Sequence, residues 1–109
     1  MTFSGNSMFK AMILLKRREG MSMEEFLKWW LGQHAELAKQ LPGLRRLCFN
    51  AVAGDGEGLY DGVSELWFDS EADFGGAYQT AIGQAVAADS LANVSKRERL
   101  LVQENVVVS

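Results

Sequence analysis

From Met8 to Leu15 the chain reads MFKAMILL, an apolar run rich in strand formers, closed by the charged turn Lys16-Arg17-Arg18-Glu19-Gly20. This predicts a largely buried first strand. The apolar spacing then takes on a helical period. At about 100° per residue, Phe26, Leu27, Trp30, Leu31, His34, Leu37, Ala38 and Leu41 fall on one arc, with Glu25, Lys28, Gly32, Glu36 and Lys39 opposite. Ser22 and Glu25 have the spacing of a capping box, and Met21 and Phe26 that of a hydrophobic staple, so the helix is predicted to start at Ser22. Leu41-Pro42-Gly43 stops it, because proline disfavours helical geometry in the residue before it and glycine permits the following turn. Trp29 falls on the polar side of this helix, where it either meets solvent or contacts a partner chain or the C-terminal segment.

The second half of the chain alternates elements again. Leu44 to Ala53 and Val63 to Phe68 predict two strands of a hairpin, joined by a long, mobile Gly-rich loop, Gly54-Asp55-Gly56-Glu57-Gly58. Ser70 with Asp73 resembles a second cap, opening a helix through Phe74, Ala77 and Tyr78 that Gly75-Gly76 weakens. Thr80 to Leu91 is Ala-rich and predicts a further short helical piece, and Leu100 to Val108 a Val-rich final strand. The order β-α-β-β-α-β is that of a ferredoxin-like α+β sandwich, with helices on one face of a four-stranded antiparallel sheet. The strands carry apolar residues at both parities, Leu66 and Phe68 against Val63 and Trp67, so the other sheet face is expected to meet a second copy in a homodimer.

Composition narrows the partners. The 109 residues, 48% hydrophobic, suffice for one domain, expected over 8–109 behind a flexible tail at 1–7. Eleven basic against fourteen acidic residues leave a net charge of -3, which argues against nucleic-acid and anionic-membrane partners. The lone Cys48, inside an apolar run, reads as a reduced structural thiol. With neither a signal-peptide pattern nor an apolar run near the ~20 residues of a membrane span, a cytoplasmic protein is expected.

No Cys or His cluster has metal-ligand spacing, and the Gly-rich loop is acidic and would repel phosphate, so neither a metal nor a nucleotide cofactor is expected. His34, the only histidine, is either a hydrogen-bonded core residue or a proton carrier in a dry pocket. Phe26 and Trp30 are either core residues or an aromatic wall for a ligand. Glu65 shares a strand face with Val63 and Trp67. It is either a buried carboxylate of raised pKa, and so a second proton-transfer candidate, or an edge residue paired to Arg45 or Arg46. Lys16, Arg17 and Arg18 either form a solvated turn or attract an acidic or phenolate substrate.

The segment LLKRREGMSMEEFLKWWLGQHAELAKQLPGLRRL, with DGVSELWFDS and IGQAVAAD downstream, resembles the EthD-like family of the dimeric α+β barrel superfamily from about Met8 to Val107. The most specific parts are Trp29-Trp30 with His34, then Leu41-Pro42-Gly43, and DGVSELWFD. The resemblance implies ferredoxin-like chains whose sheets pair into a barrel across a homodimer, with a small cavity in each chain between sheet and helices. Relatives include decarboxylases, dehydratases and cyclases of aromatic polyketides, lactone isomerases and cofactor-free monooxygenases. The expected function is therefore cofactor-independent chemistry on a small apolar or aromatic metabolite, by proton transfer or in oxidative degradation. His34 and Glu65 are the catalytic candidates, and Phe26, Trp30, Leu37 and Trp67 shape the pocket. The alternative is a non-catalytic ligand-binding or stress-related dimer in which His34 bonds a core group.

Overall fold

A computed structural model describes residues 8–109, so the tail expected at 1–7 lies outside the described residues. Strand β1 (Phe9–Arg17) leads to a helical arm made of α1 (Met23–Trp29), a π-helical turn (Trp30–His34) and α2 (Ala35–Ala38). Strands β2 (Arg46–Ala51) and β3 (Gly62–Phe68) follow, then α3 (Glu71–Tyr78), α4 (Ala81–Asn93) and β4 (Val94–Gln103). The four strands are antiparallel neighbours in the order β2-β3-β1-β4, the ferredoxin-like α+β arrangement. Among the described residues no helix is long and apolar enough to cross a membrane.

Local chemistry starts each helix. The Ser22 hydroxyl accepts from the Glu25 amide at 3.0 Å while the Glu25 carboxylate accepts from the Ser22 amide at 2.8 Å. Ser70 caps α3 through the Asp73 amide, and Thr80 caps α4 through the Gly83 amide.

The register of β1 on β3 puts Ala11, Ile13 and Leu15 beside Leu66, Ser64 and Gly62, on the face that the helices cover. Phe26, Trp30, Phe74 and Val86 complete that core. Trp30 lies flat against Phe49 at 4.6 Å, over Gly62, where a Cβ would come within 2.5 Å of the indole. The alternate positions Met12, Leu14, Val63, Glu65 and Trp67, with Leu100 and Val102 across from β1, occupy the other face, which no helix covers.

Two expectations differ from the structure. Strand β4 begins at Val94 rather than Leu100 and ends at Gln103, leaving Val106, Val107 and Val108 exposed outside the strand. The polar stretch Ser95 to Glu98 is strand because the backbone groups along β1 need partners over its whole length, and an edge strand tolerates charged side chains. The loop expected to be mobile is clasped. Lys16 Nζ donates to the Gly56 and Gly58 carbonyls at 2.9 and 2.8 Å, and Asp61, buried, pairs with Arg17 at 2.8 Å.

Helices α3 and α4 approach so closely that a Cβ on Gly83 would lie 2.1 Å from the Ala77 carbonyl oxygen and 2.5 Å from Tyr78 Cα. Backbone cannot yield as a side chain can. Gly83→Ala is expected to lower the unfolding free energy by about 1–3 kcal/mol. Gly76→Ala, in α3 with open space around it, is expected to raise it by up to about 1 kcal/mol. Urea midpoints of the two variants check the contrast.

Candidate functional site

In a regular α-helix Trp29 and His34, five residues apart, would point roughly 140° away from each other. Between them the helix widens, and the Ala35 amide reaches back to the Trp30 carbonyl. In such an i→i+5 turn, residues five apart lie one above the other. The Trp29 and His34 rings accordingly sit 4.8 Å apart between centroids, both turned towards α4, while Trp30 faces the sheet. Two wheel-based placements fail for this reason. Leu31, expected on the apolar arc, is 54% exposed, and Trp29, expected on the polar side, is half-buried against α4.

What these rings meet on α4 is Asp89, the only charged residue in AIGQAVAADSLAN. Its Oδ2 accepts from Trp29 Nε1 at 3.1 Å and lies 2.9 Å from His34 Nδ1, while Oδ1 accepts from Gln33 Nε2 at 2.7 Å. An ionised carboxylate can only accept, so Nδ1 of a neutral His34 carries the ring proton and Nε2 keeps the lone pair. Burial pulls the His34 pKa below its ordinary 6.5, and the Arg97 charge adds to this; the bond to Asp89 and its charge oppose both without prevailing. The contact at neutral pH is thus a hydrogen bond to a neutral imidazole rather than an ion pair.

Nε2 bonds no protein group among the described residues. His34 lines a cavity of about 20 Å³ with the apolar Ile13, Leu15, Val86 and Ala87 and the polar Ser64, Tyr78, Ser90 and Arg97. That volume holds about one water molecule. A roomier open groove, about 340 Å³, lies by Phe9, Asp69, Glu71 and Gln103 and includes neither His34 nor Asp89. Size alone would favour the groove, but only the small cavity is lined by the histidine that Asp89 orients.

The sequence matches the EthD domain over residues 18–96, a span that contains both His34 and Asp89. The chain belongs to the EthD family. Its fold is similar to that of an ethyl tert-butyl ether d (EthD) family protein from Bacillus halodurans, with 24% identity, 90% of this chain and 99% of that chain covered, and a TM-score of 0.79. A dimeric ferredoxin-like protein of unknown function from Thermobifida fusca shares 17% identity over 95% and 96% of the two chains, TM-score 0.74. A hydroxynitrile lyase from Passiflora edulis shares 14% over 94% and 98%, TM-score 0.75. At such identities the likeness is one of fold. No curated protein matches the sequence.

In this EthD domain the residues singled out from sequence separate into three places. His34 is at the cavity. Phe26 and Trp30 stack at 5.3 Å in the core and Leu37 packs at its edge, none of them lining the cavity. Glu65 and Trp67 lie on the uncovered face, since β3 alternates and Ser64 and Leu66 take the helix side. Glu65 is therefore remote from His34, and its partner is Lys10 at 2.6 Å rather than Arg45 or Arg46. Arg45 pairs with Asp69, and Arg46 lies over the Trp67 ring. The Lys10 bond holds the Glu65 carboxyl below the usual range, opposite to the rise expected of a buried acid. Asp89 and Arg97 were not singled out; a lone acid in an Ala-rich helix was the available signal for the first, and alternation along β4 gave none for the second. Among the described residues no group of three or more His, Cys, Asp or Glu side chains could hold a metal ion.

Because His34 has a lower pKa folded than unfolded, the unfolded chain takes up the proton first as pH falls. Its contribution to stability is intact above pH 6.5 and is lost as pH drops through that value towards the folded pKa. The His34 ring resonances, unambiguous in a chain with one histidine, are expected to titrate below 6.5 by NMR. The unfolding free energy is expected to decline just below pH 6.5, less steeply in His34→Gln.

Proposed function

We propose that this EthD domain is a cofactor-independent enzyme acting on a small, mostly apolar metabolite that carries a carbonyl group, with His34 Nε2 as the proton carrier. One observation carries the reading: Nδ1 is committed to the half-buried Asp89, which leaves Nε2 of a neutral imidazole as the nitrogen available to a ligand. That is the state a general base needs. Nε2 takes a proton from carbon beside the substrate carbonyl, the C–H electron pair moves onto the carbonyl oxygen as an enolate, and Asp89 stabilises the imidazolium that forms. Where a double bond beside the α-carbon extends the enolate, the proton returns to its far carbon, an isomerisation; where a hydroxyl sits on the β-carbon, the enolate pair forms a C=C bond as the C–O bond breaks and the proton leaves with the hydroxyl as water, a dehydration. The buried Ser64 and Ser90 hydroxyls are the nearby donors for an oxyanion.

Entry requires the wall to yield, because the cavity holds about one water. The half-buried Tyr78 side chain is the part of that wall proposed to turn outward. That a protein of this fold is a hydroxynitrile lyase supports small-molecule chemistry on the scaffold. The free, half-buried Cys48 suits a reducing compartment such as the cytoplasm.

The working unit is proposed to be a homodimer joined through the uncovered sheet face, where Met12, Leu14, Val63 and Val102 present an apolar strip. The Thermobifida fusca protein of the same fold is described as dimeric, which supports this. Light scattering is expected to give twice the chain mass for the wild type and the chain mass for Met12→Glu, which puts a second carboxylate opposite Glu65.

Catalysis is checked by incubating the protein in D2O with a panel of small carbonyl compounds and following loss of α-hydrogens by NMR. His34→Ala is expected to lower the exchange or turnover rate by a factor on the order of 10²–10⁴ with binding retained. Asp89→Asn is expected to lower the rate and move the base's kinetic pKa further down, since Asp89 raises it in the native site. Unchanged rates in His34→Ala would overturn His34 as the base, and exchange in the wild type no faster than in buffer would leave ligand binding without catalysis as the function.

A further inference from the structure

Strand β4 sorts its charges by alternation. Lys96 and Glu98 lie on the uncovered face and pair at 3.3 Å, whereas Arg97 and Arg99 lie on the helix face, in register with Leu15 and Ile13. Arg99 is accounted for by aromatic rings, with its guanidinium 5.0 Å above Phe74 and 5.7 Å from Tyr78. Arg97 is not. The other partly buried cations have carboxylates, Lys10 with Glu65 and Glu104, Lys16 and Arg17 with Asp61. Arg97 lines the cavity beside His34, half-buried, with no ion pair or side-chain hydrogen bond among the described residues. The nearest acid of the site, Asp89, has its oxygens occupied by Trp29, Gln33 and His34.

A guanidinium partly shielded from water gains from an anion that meets it, and its planar fork matches a carboxylate with two parallel hydrogen bonds. We infer that the substrate of this site is a small carboxylate, its anionic group bound by Arg97 in the cavity that His34 lines. The inference rests on the reading of His34 as the proton carrier and narrows its substrate to acids that bear the carbonyl near the carboxylate. Arg97 anchors one end, and the adjacent carbon is then carried towards Nε2.

Binding also adjusts the base. The Arg97 charge is one of the influences that lower the His34 pKa, so a carboxylate that neutralises it makes Nε2 more basic when substrate is present. The groups acting on His34 are then Asp89 from α4 and the Arg97–carboxylate pair from β4, with Tyr78 of α3 on the cavity wall.

The test follows the His34 ring resonances by NMR while wild type, Arg97→Gln and Arg97→Lys are titrated with acetate, benzoate and the neutral benzamide. Circular dichroism establishes that each variant is folded. Benzoate is expected to bind tighter than benzamide by a factor on the order of 10–100, to lose that advantage in Arg97→Gln and to keep part of it in Arg97→Lys. Bound benzoate is expected to raise the His34 pKa in the wild type and, by less, in Arg97→Lys. If benzoate and benzamide shift the His34 resonances equally and Arg97→Gln changes neither, the carboxylate assignment is wrong while a ligand site at His34 stands. If none of the three moves those resonances, the assignment and the site reading fall together.

Discussion

Three donors from the helical arm converge on the Asp89 carboxylate, and the arm's geometry follows from having to supply them. A carboxylate drawn partly out of solvent is destabilising unless its lone pairs are met. Trp29, Gln33 and His34 cannot all face one neighbour from a regular α-helix, so the turn at 30–34 takes the wider form. The wider turn sets the rest of the helical layer. It frees Trp30 to lie on Phe49 over Gly62, and it ties the arm to α4 by polar bonds where packing alone would leave two Ala-rich and aromatic surfaces free to slide. Trp30 gives up a partner for its own indole N–H in that position, a cost offset by stacking on two rings.

The sheet divides the chain's charges into two chemical compartments. On the helix side, Asp61 is closed by Arg17 at the end of β1, and His34 and Arg97 meet at the small cavity. On the other side, Lys10 sits between Glu65 and Glu104 and against the Trp67 ring. Burial works against its ammonium, but the two carboxylates outweigh that and hold the pKa above its usual value. The uncovered face is therefore not merely apolar. It carries a fixed polar network around Trp67 beside the apolar strip of Met12, Leu14 and Val63, a combination that constrains how another surface can register against it.

Much of the fold was legible because its causes are local. Ser22 and Ser70 announce helix starts within four residues, and the parity of Glu65 with Val63 and Trp67 is read directly from the strand period. Parity does not say which face the helices cover, and that is why Glu65 could be placed with the wrong neighbours. The start of β4 was hidden because pairing to β1, a contact across most of the chain, overrides the polar composition of Ser95 to Glu98. His34 was visible as a singular residue; its setting was not, since a helical wheel assumes a constant turn and the turn is wider at that point. Asp89 and Arg97 reach the site only through tertiary packing, from elements with no pattern linking them to residue 34.

The clasp around Asp61 bears on how the chain withstands proteases. A loop of glycine and acidic residues is a preferred site for nicking because a protease needs several residues of extended, detachable backbone. Here the carbonyls of Gly56 and Gly58 are held by Lys16, and the Asp61 carboxylate is gripped by both the amide and the guanidinium of Arg17. Cleavage between β2 and β3 then depends on how often those bonds open together, so the loop's lifetime in the presence of a protease is governed by the end of β1 rather than by its own composition.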